Sequence, residues 1–359
     1  MRLGVLKEAN YKRVAIVPSS AKALKALGTE VLAETEAGVR SGINDADMLA
    51  AGFSISDRKS ILAQSDLLVS ISPLSVDELS LMKSGASVIS MYAPYQQPEI
   101  LDTLKGLPLN IFSMDMVPRT TLAQSMDVLS SMASLAGYKA VVKAAEHYNN
   151  MFAMMMTAAG TIPPTKVMVI GAGVAGLQAI ATARRLGAVV EAFDTRLAAK
   201  EEVQSLGATF VEVEGAVDDR GAGGYAVQQS EEYLQKQRAL VHERALRANI
   251  IIATAQVRGR KAPLIITEET IRQMRSGSVI VDLAASTGGN CAFTQNNKTI
   301  VQNGVVIIGN SDLADELSNV SSTLFSNNII NFLKILVKDG NIHIDEQNEI
   351  IKNALISKP

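Results

Sequence analysis

The chain has little of what most metal or disulfide chemistry needs. It holds one cysteine, Cys291, and three histidines, His147, His242 and His343, in 359 residues. A single cysteine excludes an internal disulfide and any cysteine-based metal site. The histidines lie far apart in the chain, without metal-ligand spacing, so capping or solvated roles and no metal are expected. Long apolar runs are missing as well. Apolar residues make up 47% of the chain, yet no stretch of about 18 uncharged apolar residues occurs, so no spanning helix is expected. Charge of one sign is also lacking. The net charge is −2, which argues against nucleic acid as the main partner. The start, MRLGVLKEAN, lacks the apolar core of a secretory signal and reads as a strand, so a cytoplasmic location is expected.

What is present centres on Lys166 to Asp194, KVMVIGAGVAGLQAIATARRLGAVVEAFD. Val167 to Ile170 reads as a buried parallel strand. Gly171, Gly173 and Gly176 follow as G-x-G-x-x-G. A helix is expected from Val174 to Leu186, stopped by Gly187. A second strand, Val189 to Phe193, leads to Asp194. Strand, glycine turn, helix, strand and acid form the dinucleotide-binding fingerprint. Gly171 permits the tight turn, Gly173 lets backbone approach a pyrophosphate, and Gly176 lets helix pack on strand. The pyrophosphate is expected on the helix N-terminus, where free N–H groups and the helix dipole favour anions. Asp194 suits the two ribose hydroxyls and repels a 2′-phosphate, which favours NAD(H) over NADP(H). Thr195 and Arg196 follow at the ribose edge.

The rest of the chain alternates strand and helix. Up to about residue 125 the rhythm is βαβ without a phosphate-binding glycine turn, the last strand being Asn110 to Ser113. Arg119 to Tyr148 reads as a polar loop running into a long linking helix. Met154 to Met156 are read as packing residues. After Asp194 come a helix, Leu197 to Leu206, and a strand, Thr209 to Val213. Glu214 to Val227, EGAVDDRGAGGYAV, is expected to be a mobile loop with Tyr225 near its tip. The strands Ile250 to Ala253 and Ser278 to Asp282 are followed by loops holding Ala255, Gln256 and Asn290, where α/β sites form. The segment from Ser318 onward is expected to be an amphipathic helix returning to the first domain. The fold class is therefore α/β, with two Rossmann-like, doubly wound parallel-sheet domains separated by a cleft. The first domain takes residues 1–126 plus about 318–359. The second takes 127–317, with the linking helix at about 127–148.

From VPRTTLAQSMD through SLAGYKAV and MMMTAAGTIPP to GAGVAGLQAIATARRLGA, the chain resembles the NAD(H)-binding component of proton-translocating nicotinamide nucleotide transhydrogenase. The resemblance covers the chain from LKE to the helix near Phe332. It implies that Arg119, Gln124 and Asp127 act at the nicotinamide and its ribose, with Ser130 nearby. Taken singly, the first three read as a surface arginine, a loop cap and a helix cap; together in this setting they read as a site. The resemblance gives Gly171, Ala172, Gly173 and Val174 to the pyrophosphate and Asp194 to the adenosine ribose. The Gly221–Tyr225 stretch is similar to the family's mobile loop, which closes on the cofactor. It also implies a homodimer docked on membrane-embedded subunits that bind NADP(H), peripheral on the inner face of a bacterial plasma membrane. Hydride passes from NADH to NADP+, coupled to proton translocation.

Alanine dehydrogenases share the same plan and are the alternative. Reducing an imino acid takes a proton as well as a hydride, so it needs a general acid and a cation for the carboxylate. That family places a Lys and a His in two segments that read LLVSISPL and ISMYAPYQQ here. The matching positions hold Ser70, Ile71, Ser72, Tyr92, Ala93 and Pro94. A third possibility is a non-catalytic NAD(H)-sensing module.

Overall fold

Buried apolar strands with period two on both faces dictate sheets covered on both sides, and the chain builds two of them. In this computed structural model, residues 1–213 and 231–359 are described. The expected mobile loop with Tyr225 lies outside them. The chain divides into two compact units, Met1–Met132 with Ala314–Pro359, and Ala133–Leu313. The division falls inside the linking helix, Val128–His147. The α/β, doubly wound class is what both units show.

The first unit has a seven-stranded sheet. Its spatial order is Leu355–Ser357, Asn110–Ser113, Ser87–Ser90, Leu67–Val69, Arg2–Val5, Glu30–Glu34, Ser54–Ser56. All pairings are parallel except that of Leu355–Ser357 with Asn110–Ser113. Asn110–Ser113 is therefore not the last strand of this unit, because the chain end returns to extend the sheet. Side chains alternate between faces. Leu67 and Val69 join one core with Phe112, Phe325 and Phe332, while Leu68, Val88 and Ile111 join the other.

The C-terminal helix Ser318–Leu336 covers the first of these faces. The sequence pattern reads as amphipathic, yet ten of its residues are buried, including Ser321, Ser322, Ser326 and Asn328. The serines explain how a polar stripe goes inside. Ser322 Oγ accepts the Val14 N–H at 2.9 Å and Ser326 Oγ accepts that of Val17 at 3.3 Å. They satisfy the backbone of an irregular segment that would otherwise be buried without partners.

The second unit also has seven strands, in the order Thr209–Phe210, Val189–Phe193, Lys166–Ile170, Ile250–Ala253, Val279–Asp282, Val305–Gly309, Lys298–Gln302. The strand expected at Thr209 to Val213 is thus only two residues long. Only the edge strand Lys298–Gln302 runs antiparallel. Order reverses between Lys166–Ile170 and Ile250–Ala253, and α/β sheets bind ligands at the carboxyl ends of strands at such a point. Val167 and Val169 pack with Ala179 and Ile180 of the helix Val174–Arg185, and Met168 and Ile170 face the opposite core. The methionine triplet departs from its reading as packing. It sits on a two-stranded hairpin, Met155–Thr157 with Gly160–Ile162, with Met154 59% and Met156 73% exposed. A two-stranded ribbon has no second layer under which to bury them.

Candidate functional site

The glycine turn follows the strand that borders the reversal point. Gly171 takes φ +92°, which favours glycine. A Cβ on Gly176 would lie 1.8 Å from the Gly171 carbonyl oxygen, so only glycine lets helix and turn approach this closely. A Cβ on Gly173 would meet no atom within 4 Å. Gly173 is the N-cap of Val174–Arg185, and no side chain caps that helix. Gly173 and Val174 are exposed. The helix N-terminus thus offers its first N–H groups, with the positive end of the dipole, to an anion. These residues fit a dinucleotide pyrophosphate.

Asp194 stands at the end of the next strand with its side chain only 7% exposed. Its Oδ2 accepts the Ala172 N–H at 2.7 Å, which ties the strand end to the turn. Arg196 grips the same carboxylate from both sides, Nε to Oδ1 and Nη2 to Oδ2, each at 3.0 Å. The Arg196 N–H adds a bond to Oδ1 at 2.8 Å. Arg196 is therefore the partner of Asp194. Thr195 is half-buried between them in the chain. Ala172 directs its N–H at Asp194 and is itself buried.

Across the reversal point, Thr254 follows the strand Ile250–Ala253 directly. Its hydroxyl donates to the carbonyls of Ile170 at 3.1 Å and Gly171 at 3.0 Å, so it holds the glycine turn from the side. Sequence reasoning missed Thr254; the signal was its place as the first polar residue after a buried strand. Asn290 is fully buried and its side-chain polar atoms all go to backbone. It accepts the Ala255 N–H at 3.0 Å and donates to the Ala255 and Pro263 carbonyls at 2.8 and 2.9 Å. Exposed Gln256 donates to the Leu283 carbonyl at 2.8 Å. Asp282, also missed, anchors this cluster. Its carboxylate accepts from the N–H groups of Ala284, Asn290 and Cys291 and from the Thr294 hydroxyl. Burial pushes its pKa up, against those hydrogen bonds. An acid ending an apolar strand, as Asp194 nearly does, was the available signal.

In the first unit, Thr121–Met126 forms a short 3-10 turn. Arg119 and Gln124 are exposed. Asp127 begins the linking helix as its cap: Oδ1 accepts the Ser130 N–H at 2.9 Å and Oδ2 the Ser130 hydroxyl at 2.6 Å. Arg119 Nε lies 3.9 Å from Asp127 Oδ2. One ion pair and one cap thus bring Arg119, Asp127 and Ser130 together.

The strand ends of the first sheet are built differently from those of the second. Where the second unit has Gly171-Ala172-Gly173, the first has Leu6-Lys7-Glu8. The Lys7 N–H goes to Glu34 at 2.8 Å, an echo of Ala172 and Asp194. Glu8, 4% exposed, accepts the N–H groups of Ile71 at 2.6 Å and Ser72 at 3.0 Å. Burial raises its pKa, while those N–H groups favour the ionised form. Here the unit's own carboxylate occupies backbone donors that an outside anion could otherwise use. Ile71 is buried, and the Ala93 N–H points to Asp115 at 3.4 Å. Among the described residues no group of His, Cys, Asp and Glu could hold a metal ion, and no helix is long and apolar enough to cross a membrane.

Comparison with known proteins bears on this geometry. The alanine dehydrogenase/PNT N-terminal domain matches residues 4–136, and the corresponding C-terminal domain matches 140–359. NAD(P) transhydrogenase subunit alpha of Haemophilus influenzae is 42% identical over 99% of this chain and 70% of its own length. An NAD(P) transhydrogenase alpha subunit of Rickettsia prowazekii is 42% identical over 100% of this chain and 95% of its own. The crystal structure of transhydrogenase from Sinorhizobium meliloti superposes with a TM-score of 0.91 at 41% identity, covering 100% of this chain and 99% of that one. Alanine dehydrogenase of Staphylococcus epidermidis is more distant, 26% identical over 95% of this chain and 88% of its own length. The chain belongs to the alanine dehydrogenase/PNT family and, within it, with the NAD(P) transhydrogenase alpha subunits.

Proposed function

We propose that this chain is the NAD(H)-binding subunit of a proton-translocating transhydrogenase, passing hydride from NADH to NADP+ held on a partner subunit. The observation that carries the reading is a contrast within the chain. The second unit keeps a dinucleotide turn with an uncapped helix N-terminus, while LLVSISPL and ISMYAPYQQ, which by resemblance match the segments carrying the Lys and His of alanine dehydrogenases, hold neither residue.

The N-terminus of Val174–Arg185, with Gly171, Gly173 and Gly176, would hold the pyrophosphate. Asp194 would take the ribose hydroxyls, with Thr195 beside it. Arg196, gripped by Asp194, is then not free to serve a 2′-phosphate, in keeping with NAD(H). Ala255 and Gln256 would line the reversal point, with Asn290 holding Ala255 in place. Arg119, Gln124, Asp127 and Ser130 would serve the nicotinamide half. When bound, NADH supplies a hydride from its nicotinamide ring. Transfer between two such rings moves no proton at the ring, so these residues need only orient and position. NADP(H) and the proton path would belong to membrane-embedded partner subunits. The chain would work as a homodimer, peripheral on the inner face of the membrane. Exposed Met154 and Met156, beside and on the Met155–Ile162 hairpin, are apolar surface of the kind a protein partner covers.

The test uses the purified chain. NADH, followed by its own fluorescence, is expected to bind and to raise the melting temperature, and NADPH to do neither. Adding pyruvate and ammonium is expected to give no oxidation, and NADP+ on the partner subunits to give it. Steady oxidation with pyruvate would place the chain among amino-acid dehydrogenases. Failure to bind NADH would remove the reading.

A further inference from the structure

We propose that Asn328 and Asn331, on the C-terminal helix, position the Arg119–Asp127 loop for hydride transfer. This rests on the function proposed above. Both side-chain amides donate to one atom, the Ser125 carbonyl oxygen, Asn328 at 2.8 Å and Asn331 at 3.2 Å. Three residues apart on a helix, they share a face, and together they fill both lone pairs of that carbonyl. Ser125 follows Gln124 directly, so the grip falls on the backbone beside the expected nicotinamide contact.

The loop has two sides. Ala123 and Met126 are buried in the core that also holds Phe325 and Ile329 of the helix. Arg119, Leu122 and Gln124 face outward, Leu122 at 84% exposure. A turn this short has few contacts of its own, so its outward side chains are only as well placed as its anchor. Stability alone does not explain the anchor. Asn is a poor helix residue, and Asn328 is 5% exposed with its Oδ1 lacking a hydrogen-bond partner among the described residues. A leucine would suit that position better if packing were the only demand. The gain from Asn is the N–H delivered to Ser125.

The experiment uses Asn328→Asp, which keeps the shape and turns the donor into an acceptor facing the Ser125 carbonyl. Hydride transfer to NADP+ on the partner subunits is expected to slow about tenfold or more, as displaced positioning groups do. NADH affinity should stay near wild type, while the melting temperature falls, because a buried carboxyl then faces a carbonyl oxygen. A second readout needs no activity. The chain has no tryptophan, so Leu122→Trp is a lone probe of the loop. Its fluorescence anisotropy is expected to fall when Asn328→Asp is added. Should that variant not fold, Asn331→Ala at the more exposed position carries both readouts with a smaller effect. Unchanged anisotropy overturns the proposal, as does an unchanged rate or a rate loss matched by lost NADH affinity. If wild type transfers no hydride, the functional reading fails while the anisotropy still decides the brace.

Discussion

Gly173 and Gly176 share one turn but face different constraints, and the difference can be measured. A Cβ at 176 runs into the Gly171 carbonyl at 1.8 Å, whereas one at 173 meets nothing within 4 Å. Gly176→Ala is therefore expected to lose roughly 1–3 kcal/mol of stability through overpacking, and NADH binding with it. Gly173→Ala should melt as wild type yet bind NADH about tenfold more weakly, a change of about 1.4 kcal/mol. Thermal melts beside NADH fluorescence titrations separate the two. Equal melting of both variants would contradict the packing argument. Cys291 offers a second residue-level test. Burial, then the Asp282 carboxylate, pushes its thiol up from 9.0 to about 12. Because the folded-state value is raised, the neutral thiol favours folding. Its contribution is whole below pH 9.0 and is lost as pH rises towards about 12. Ellman's reagent at pH 8 is expected to leave the native thiol unmodified and to titrate one thiol after denaturation. Rapid native labelling would refute this.

At the scale of elements, the C-terminal helix shows how a local pattern can mislead. Serines and asparagines every few residues look like a solvated face, but the fold turns them into partners for backbone. Its apolar members are a true core. Phe332 is fully buried and meets Phe112 edge-on at 5.8 Å between ring centres. Phe332→Ala is expected to cost about 3–5 kcal/mol, read as a lower urea midpoint at unchanged slope. A loss below about 1 kcal/mol would mean that the cavity collapses. Central strands such as Lys166–Ile170 and Ile250–Ala253 were legible because continuous Val and Ile runs have few other solutions. Edge strands were not. Ser54–Ser56, Lys298–Gln302 and Leu355–Ser357 are short and partly exposed, and the neighbouring strand rather than their own pattern recruits them. The Met155–Ile162 hairpin was missed for the same reason, and its methionines were placed inside.

Across the whole molecule, the two units share the order 3-2-1-4-5 for their first five strands and differ at the antiparallel edge, and only one keeps the glycine turn. In both, an acid at the end of the second strand reaches back to the first turn, Glu34 to Lys7 and Asp194 to Ala172. Side chains then separate their uses: Glu8 closes the first unit's strand ends, and glycines leave the second unit's helix terminus open. The sequence by itself determined the fold class, the dinucleotide fingerprint and the family resemblance, because these depend on residues adjacent in the chain. Tertiary structure alone decided that Asn290 holds Ala255 from 35 residues away, and that Asn328 reaches Ser125 across 203 residues. A side chain's hydrogen-bond partner is chosen by which backbone groups packing leaves unsatisfied within reach, and that becomes known only once the sheets and helices have been assembled.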